Sequence, residues 1–202
     1  MAPWKALWFG LVLSVLQFVI FWFKVNSFAA WLSTGGLLYY VFIYTMWLKR
    51  NSPQNIVIGG AAGAFPPLVG WAAVTGDLSL GAFYLFAIIF YWTPPHFWAL
   101  ALMRKDDYAR AGVPMLPVVA GEKETRRQIV LYTLLMITLT ITMVPLKLMG
   151  FFYLFAALLL NGKFLWDAVK LYRQPSNKSA LTLYKYSLRF DYQLLLHKYE
   201  RL

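Results

Sequence analysis

Cysteine is missing from all 202 residues, which excludes disulfides and thiolate metal sites. Charge is nearly as scarce: Asp, Glu, Lys and Arg make up 13% of the chain, about half the ~25% of a soluble domain. What charge there is leans one way, with 19 basic residues against 8 acidic ones, and the only histidines are His96 and His197. A water-facing surface cannot be built from that supply. In its place the chain is 60% apolar and 19% aromatic, with a mean hydropathy of +0.57.

The apolar residues come in long runs. A bilayer core ~30 Å thick asks for about 20 such residues per helix, and six runs meet that demand: 6–23, 28–48, 55–74, 78–103, 129–146 and 148–166. A seventh, 181–196, is interrupted by Arg189, Asp191 and Gln193, each charge costing about 2.5–3.5 kcal/mol at a helix centre. The predicted fold is therefore all-α: one polytopic transmembrane helical bundle over 1–202, of six to seven spans, with a loop at 104–128. The first run is too long for a signal-peptide core and lacks a small-x-small cleavage site, so it reads as a true span.

Loop charge orients the bundle. With the N-terminus inside, the inner segments hold most of the Lys and Arg, including Lys49, Arg50, Arg104 and Arg110, while the outer loops hold only Lys24 and Lys147. The positive-inside rule then puts 104–128 in the cytoplasm. Loops facing an anionic leaflet account for the net charge of +11 without nucleic acid, for which no motif is present.

Three segments depart from the apolar background. Gly59, Gly60, Ala62, Gly63 and Ala64 are small enough for close helix approach, and Pro66-Pro67 beyond them reads as a helix break beside a pocket. Pro94-Pro95-His96 sets a titratable ring within a span, where such groups are expensive. His96 either hydrogen-bonds a carbonyl freed by the prolines or meets a ligand such as haem iron, a propionate or a diphosphate. His197, near the charged C-terminus, reads as interfacial. Asp106-Asp107 follows Arg104-Lys105 at the end of the fourth run. Adjacent carboxylates suit Mg2+ beside phosphate oxygens, with Arg104, Lys105 and Arg110 to neutralise a diphosphate. A solvated loop of mixed charge is the other reading of that spacing.

The order of blocks goes further. Tyr44-Thr45-Met46-Trp47-Leu48-Lys49-Arg50, then 53–71 (PQNIVIGGAAGAFPPLVGW), Trp92-Thr93-Pro94-Pro95-His96-Phe97-Trp98, and Asp106-Asp107-Tyr108 with Gly112-Val113-Pro114-Met115-Leu116-Pro117 together resemble the haem O synthase family, the protohaem IX farnesyltransferases. The likeness covers about 4–121.

The resemblance implies an intramembrane prenyltransferase, usually of nine spans, whose central cavity is capped by cytoplasmic loops. Two acidic motifs there hold Mg2+ and the diphosphate of farnesyl diphosphate. The farnesyl group joins a vinyl carbon of protohaem IX with addition of hydroxide, giving haem O for terminal oxidases. Asp106 and Asp107 then fall in the second acidic motif as catalytic, Mg2+-binding residues, Asp107 foremost. Lys49, Arg50 and Arg104 are candidates for the diphosphate, Asn55 for the cavity mouth and His96 for the haem pocket. Tyr40, Tyr44, Trp92, Phe97 and Trp98 would shield an allylic cation.

Expected partners are farnesyl diphosphate, protohaem IX, membrane lipid, and haem A synthase or oxidase-assembly proteins. The setting implied is a bacterial inner membrane, since no Arg- and Ser-rich transit peptide precedes the first run. The family's first acidic motif and about two spans are not matched, so the chain is expected to be an N-terminally truncated member. A quinone-type prenyltransferase and a non-catalytic haem-binding or oxidase-assembly protein are the competing readings.

Overall fold

The computed structural model describes residues 2–196, and it is helical throughout. α1 spans Pro3–Lys24 and α2 spans Ser27–Leu38, continuing without a break through π-helical turns at Tyr39–Leu48 to Lys49–Asn51. α3 spans Asn55–Thr75 and α4 Leu80–Met103. Two short helices, α5 at Lys105–Arg110 and α6 at Leu116–Val119, form the loop after α4. α7 (Gly121–Thr142), α8 (Phe151–Arg173) and α9 (Asn177–Leu196) complete the order.

All seven expected runs are helices, but their ends differ. α7 begins at Gly121 rather than 129, because Glu122 and Glu124 sit in its first turn, paired with Arg126 and Arg127, and suit a helix N-terminus. α8 is shifted to Phe151–Arg173. Among the described residues, four helices are long and apolar enough to cross a membrane by length and composition: α1, α3, α4 and α8. The expected break at Pro66-Pro67 is absent. Pro66-Pro67 and Pro94-Pro95 lie inside continuous α3 and α4, where packing against neighbours holds the turn despite the lost donors. His197 lies outside the described residues, and so do the side chains of Asp191 and Gln193.

α4 is the hub. With α7, α8 and α9 it forms a four-helix bundle, and on its other side α3, α2 and α1 follow as a row, each packed on the next. The bundle centre is filled by Trp98, Ile129, Met136, Phe164, Leu183 and Phe190, all buried. Hydrophobic drive between helices vanishes in lipid, so polar links matter more. Asn161 Nδ2 donates to Thr140 Oγ1 at 2.7 Å across α7–α8. Buried Asp167 is paired with Lys163, whose ammonium lies over the Tyr186 ring of α9.

The row is joined at its turns. Asn26 caps α2, its Oδ1 accepting from Ala29 N at 2.8 Å, while its Nδ2 donates to Ala72 O of α3 at 2.9 Å. α1 is otherwise bare, exposing Trp4, Leu7, Trp8, Phe9 and Val12, a surface that suits lipid. Since α1 and α2 touch neither α4 nor the bundle beyond it, the row stands off and leaves space along α3 and α4.

Candidate active site

That space is a cavity of about 2250 Å3, larger than the ~300–1,000 Å3 of an ordinary ligand pocket. Its walls are mostly α2, α3 and α4, from Tyr40, Tyr44 and Ile56 at one end to Thr75, the α7–α8 turn and the start of α8, Phe151 to Tyr153, at the other. Antiparallel packing of α3 on α4 brings the start of α3 and the end of α4 to the same end of the molecule. Lys49, Arg50, Asn55, Arg104, Asp106 and Asp107 therefore gather at the Tyr44 end.

Backbone winding and small residues shape that end. In the π-helical turns Lys49 N donates to Tyr44 O, five residues back, and the Tyr40 and Tyr44 rings lie 5.4 Å apart, tilted by 34°. Such π segments are rare and frequent at functional sites. Tyr44 lies so close to α3 that a Cβ on Gly59 would overlap its ring, and one on Gly60 would stand 2.9 Å from Thr93 Cγ2. These glycines bring Tyr44 and Thr93 to the cavity wall.

The polar cluster lies just beyond. Asp107 is bridged by Arg104, at 3.1 Å, and by Arg110, and the Arg104 hydrogen bond first, then that of Arg110, holds its carboxyl below its ordinary range. Asp106 is exposed and has no partner among the described residues. Lys49 and Arg50 are exposed too. Tyr108 of α5 is within electrostatic reach of both Asp107 and Tyr44, linking cluster to cavity. Asn55 is 1% exposed, its Nδ2 3.5 Å from Lys49 O and its Oδ1 unpartnered.

Among the described residues no three His, Asp or Glu cluster as a metal site. Asp106 and Asp107 instead offer the one or two carboxylates that Mg2+ uses when phosphate oxygens complete its shell. The donor set fits a cation arriving with a diphosphate.

Tyr40, Tyr44, Trp92 and Phe97 line the cavity. Trp98 does not: it is buried in the bundle, edge-on to Tyr132 at 5.2 Å. His96 also turns away from the cavity, into the α4–α9 interface. Its Nδ1 is 2.7 Å from Ser187 Oγ, and its ring is stacked between Trp92 and Tyr184. Its partner is a hydroxyl on α9 rather than a proline-freed carbonyl. Sequence reasoning missed Ser187 and the far wall at the α7–α8 turn, where Lys147 lines the cavity with φ +58. A polar residue a turn from Tyr184 and a Pro-x-Lys between two runs were the only signals.

A family model for UbiA prenyltransferases matches residues 1–190. The chain belongs to that family. Similar proteins include the "Protoheme IX farnesyltransferase" of a Roseiflexus species, 60% identical over 187 residues, covering 93% of this chain and 35% of that one. The protein of that name from Thermus thermophilus is 58% identical, covering 92% and 30% respectively. One from a Synechococcus species is 56% identical over 178 residues, covering 88% and 54%. The chain thus spans about a third to a half of the length of these curated relatives. No solved structure matches this UbiA family member.

Proposed function

We propose that this protein transfers the farnesyl group of farnesyl diphosphate to a vinyl carbon of protohaem IX, giving haem O, in a bacterial inner membrane with the Asp107 loop cytoplasmic. The observation that carries the reading is the pairing of a 2250 Å3 apolar, aromatic-lined cavity with a cluster of acid and arginine at one end. The 60% identity to a farnesyltransferase of protohaem supports the choice of substrates.

Each part has a chemical task. Arg104, Arg110, Lys49 and Arg50 bind the diphosphate, and Asp106 and Asp107 would hold Mg2+ against its oxygens. That cation supplies positive charge for the departing diphosphate. Removing donors of this electrostatic kind costs about 10^2–10^3 in rate. Tyr40, Tyr44, Trp92 and Phe97 face the allylic carbon as the C–O bond breaks, stabilising charge without capturing it. The terminal vinyl carbon bonds to the farnesyl carbon, water adds hydroxide to the inner vinyl carbon, and diphosphate and a proton leave.

The test uses membranes from cells expressing the full coding region that contains this chain. Protohaem IX, farnesyl diphosphate and Mg2+ are added, and haem O is sought by chromatography and mass. Its formation with the wild type and loss with Asp107→Ala support the reading. Haem that binds without conversion would favour a non-catalytic haem-binding protein.

A further inference from the structure

Among the described residues lining the cavity, Lys147 alone carries a charge. It stands at the end away from the Arg104–Asp107–Arg110 cluster, exposed, and without an ion pair or hydrogen bond to its side chain from a described residue. Its backbone is the only described non-glycine one at positive φ, +58°. The local turn explains the angle. Leu148 N donates to Met143 O at 3.0 Å and Lys147 N to Val144 O at 2.9 Å, which is the Schellman ending of a helix, with Lys147 at the position usually given to glycine.

A long cationic side chain is thus kept where the backbone disfavours any side chain, and no described group of the protein neutralises it. An ammonium at the rim of an apolar chamber calls for an occupant with an apolar body and an anionic edge.

We propose that Lys147 binds a carboxylate of the acceptor and so sets which edge of it faces the donor; this rests on the farnesyl-transfer reading. Protohaem IX carries both propionates on one edge and its vinyl groups toward the other. A propionate held at Lys147 directs the vinyl edge along the cavity toward Tyr44 and the diphosphate cluster. The wall between, Ile56 to Thr75 of α3, is ~28 Å long at 1.5 Å per residue. That leaves length for the macrocycle and the donor's reactive carbon in line.

The test is binding of protohaem IX and of its dimethyl ester to the full-length protein in detergent, followed by Soret absorbance. The wild type binds the free acid about tenfold more tightly, as one charge-assisted hydrogen bond provides. Lys147→Arg keeps the preference. Lys147→Gly loses it without a lower melting temperature, because glycine relieves the turn. An undiminished preference in Lys147→Gly overturns the proposal. A wild type that makes haem O yet shows no preference overturns it while leaving farnesyl transfer standing. A wild type that binds neither form overturns both.

Discussion

His96 Nδ1 and Ser187 Oγ meet at 2.7 Å, and this contact ties α4 to α9 inside the bundle. Ser187 Oγ donates to Tyr184 O at 2.7 Å, and Trp92 Nε1 donates to Ser187 O at 3.1 Å. One residue thus organises the interface on the reverse side of the cavity wall, its hydroxyl meeting His96 and its carbonyl Trp92. Ser187→Ala leaves a buried imidazole nitrogen unpaired, at a cost of about 1–3 kcal/mol. The expected result is a lower melting temperature in detergent with haem affinity of the folded protein unchanged. A changed affinity with unchanged melting would place His96 at the ligand instead.

Gly59 and Gly63 are a matched pair on one helix. A Cβ at Gly59 overlaps Tyr44, whereas one at Gly63 meets nothing within 4 Å. Gly59→Ala is expected to destabilise by about 1–3 kcal/mol as an overpacked contact and to depress activity by displacing Tyr44. Gly63→Ala is expected to hold or raise stability. Melting curves of both variants check the contrast.

Asp107 gives a pH signature. Its folded-state carboxyl ionises below its ordinary range because Arg104 and then Arg110 hydrogen-bond to it. The contribution it makes to stability is present above the unfolded-state value and is lost as pH falls through the depressed folded one. Wild type and Asp107→Asn should therefore differ most at neutral pH and converge only in strong acid. Chemical denaturation across pH 2–8 checks this.

Lys163 and Asp167 pair on α8, with Asp167 only 5% exposed. Lys163→Met strands a buried carboxylate and should cost about 3–5 kcal/mol. Lys163→Met with Asp167→Leu should recover most of it, as read by melting temperature.

Much of this was legible beforehand, for reasons visible in particular residues. Long apolar runs have to be helices in lipid, so the first six positions were readable from hydropathy, while the seventh, broken by Arg189 and Asp191, gave a weaker signal. The ends were not: α7 starts among Glu122, Glu124 and Arg126, whose mutual pairing favours helix where hydropathy reads loop. Pro66-Pro67 suggested a break, because a sequence reports the lost donors and not the neighbours that hold the turn. Tyr44 and Phe97 were readable as candidates for the cavity wall, while Trp98 and His96, set on other faces of α4, point into the bundle. Only the packing of α9 on α4 decides that. Lys147 counted as one outer-loop charge, since a left-handed backbone leaves no trace when the residue is not glycine.

The most direct measurement gives the purified full-length protein farnesyl diphosphate, Mg2+ and a choice of acceptor: protohaem IX or an aromatic acid of the quinone-precursor type. Mass analysis then reads which one carries the farnesyl group. The account predicts farnesyl on the porphyrin alone, lost about 100-fold or more in Asp107→Ala, as expected when the cation that stabilises the departing diphosphate loses a ligand. Farnesyl on the aromatic acid with the porphyrin untouched would contradict it.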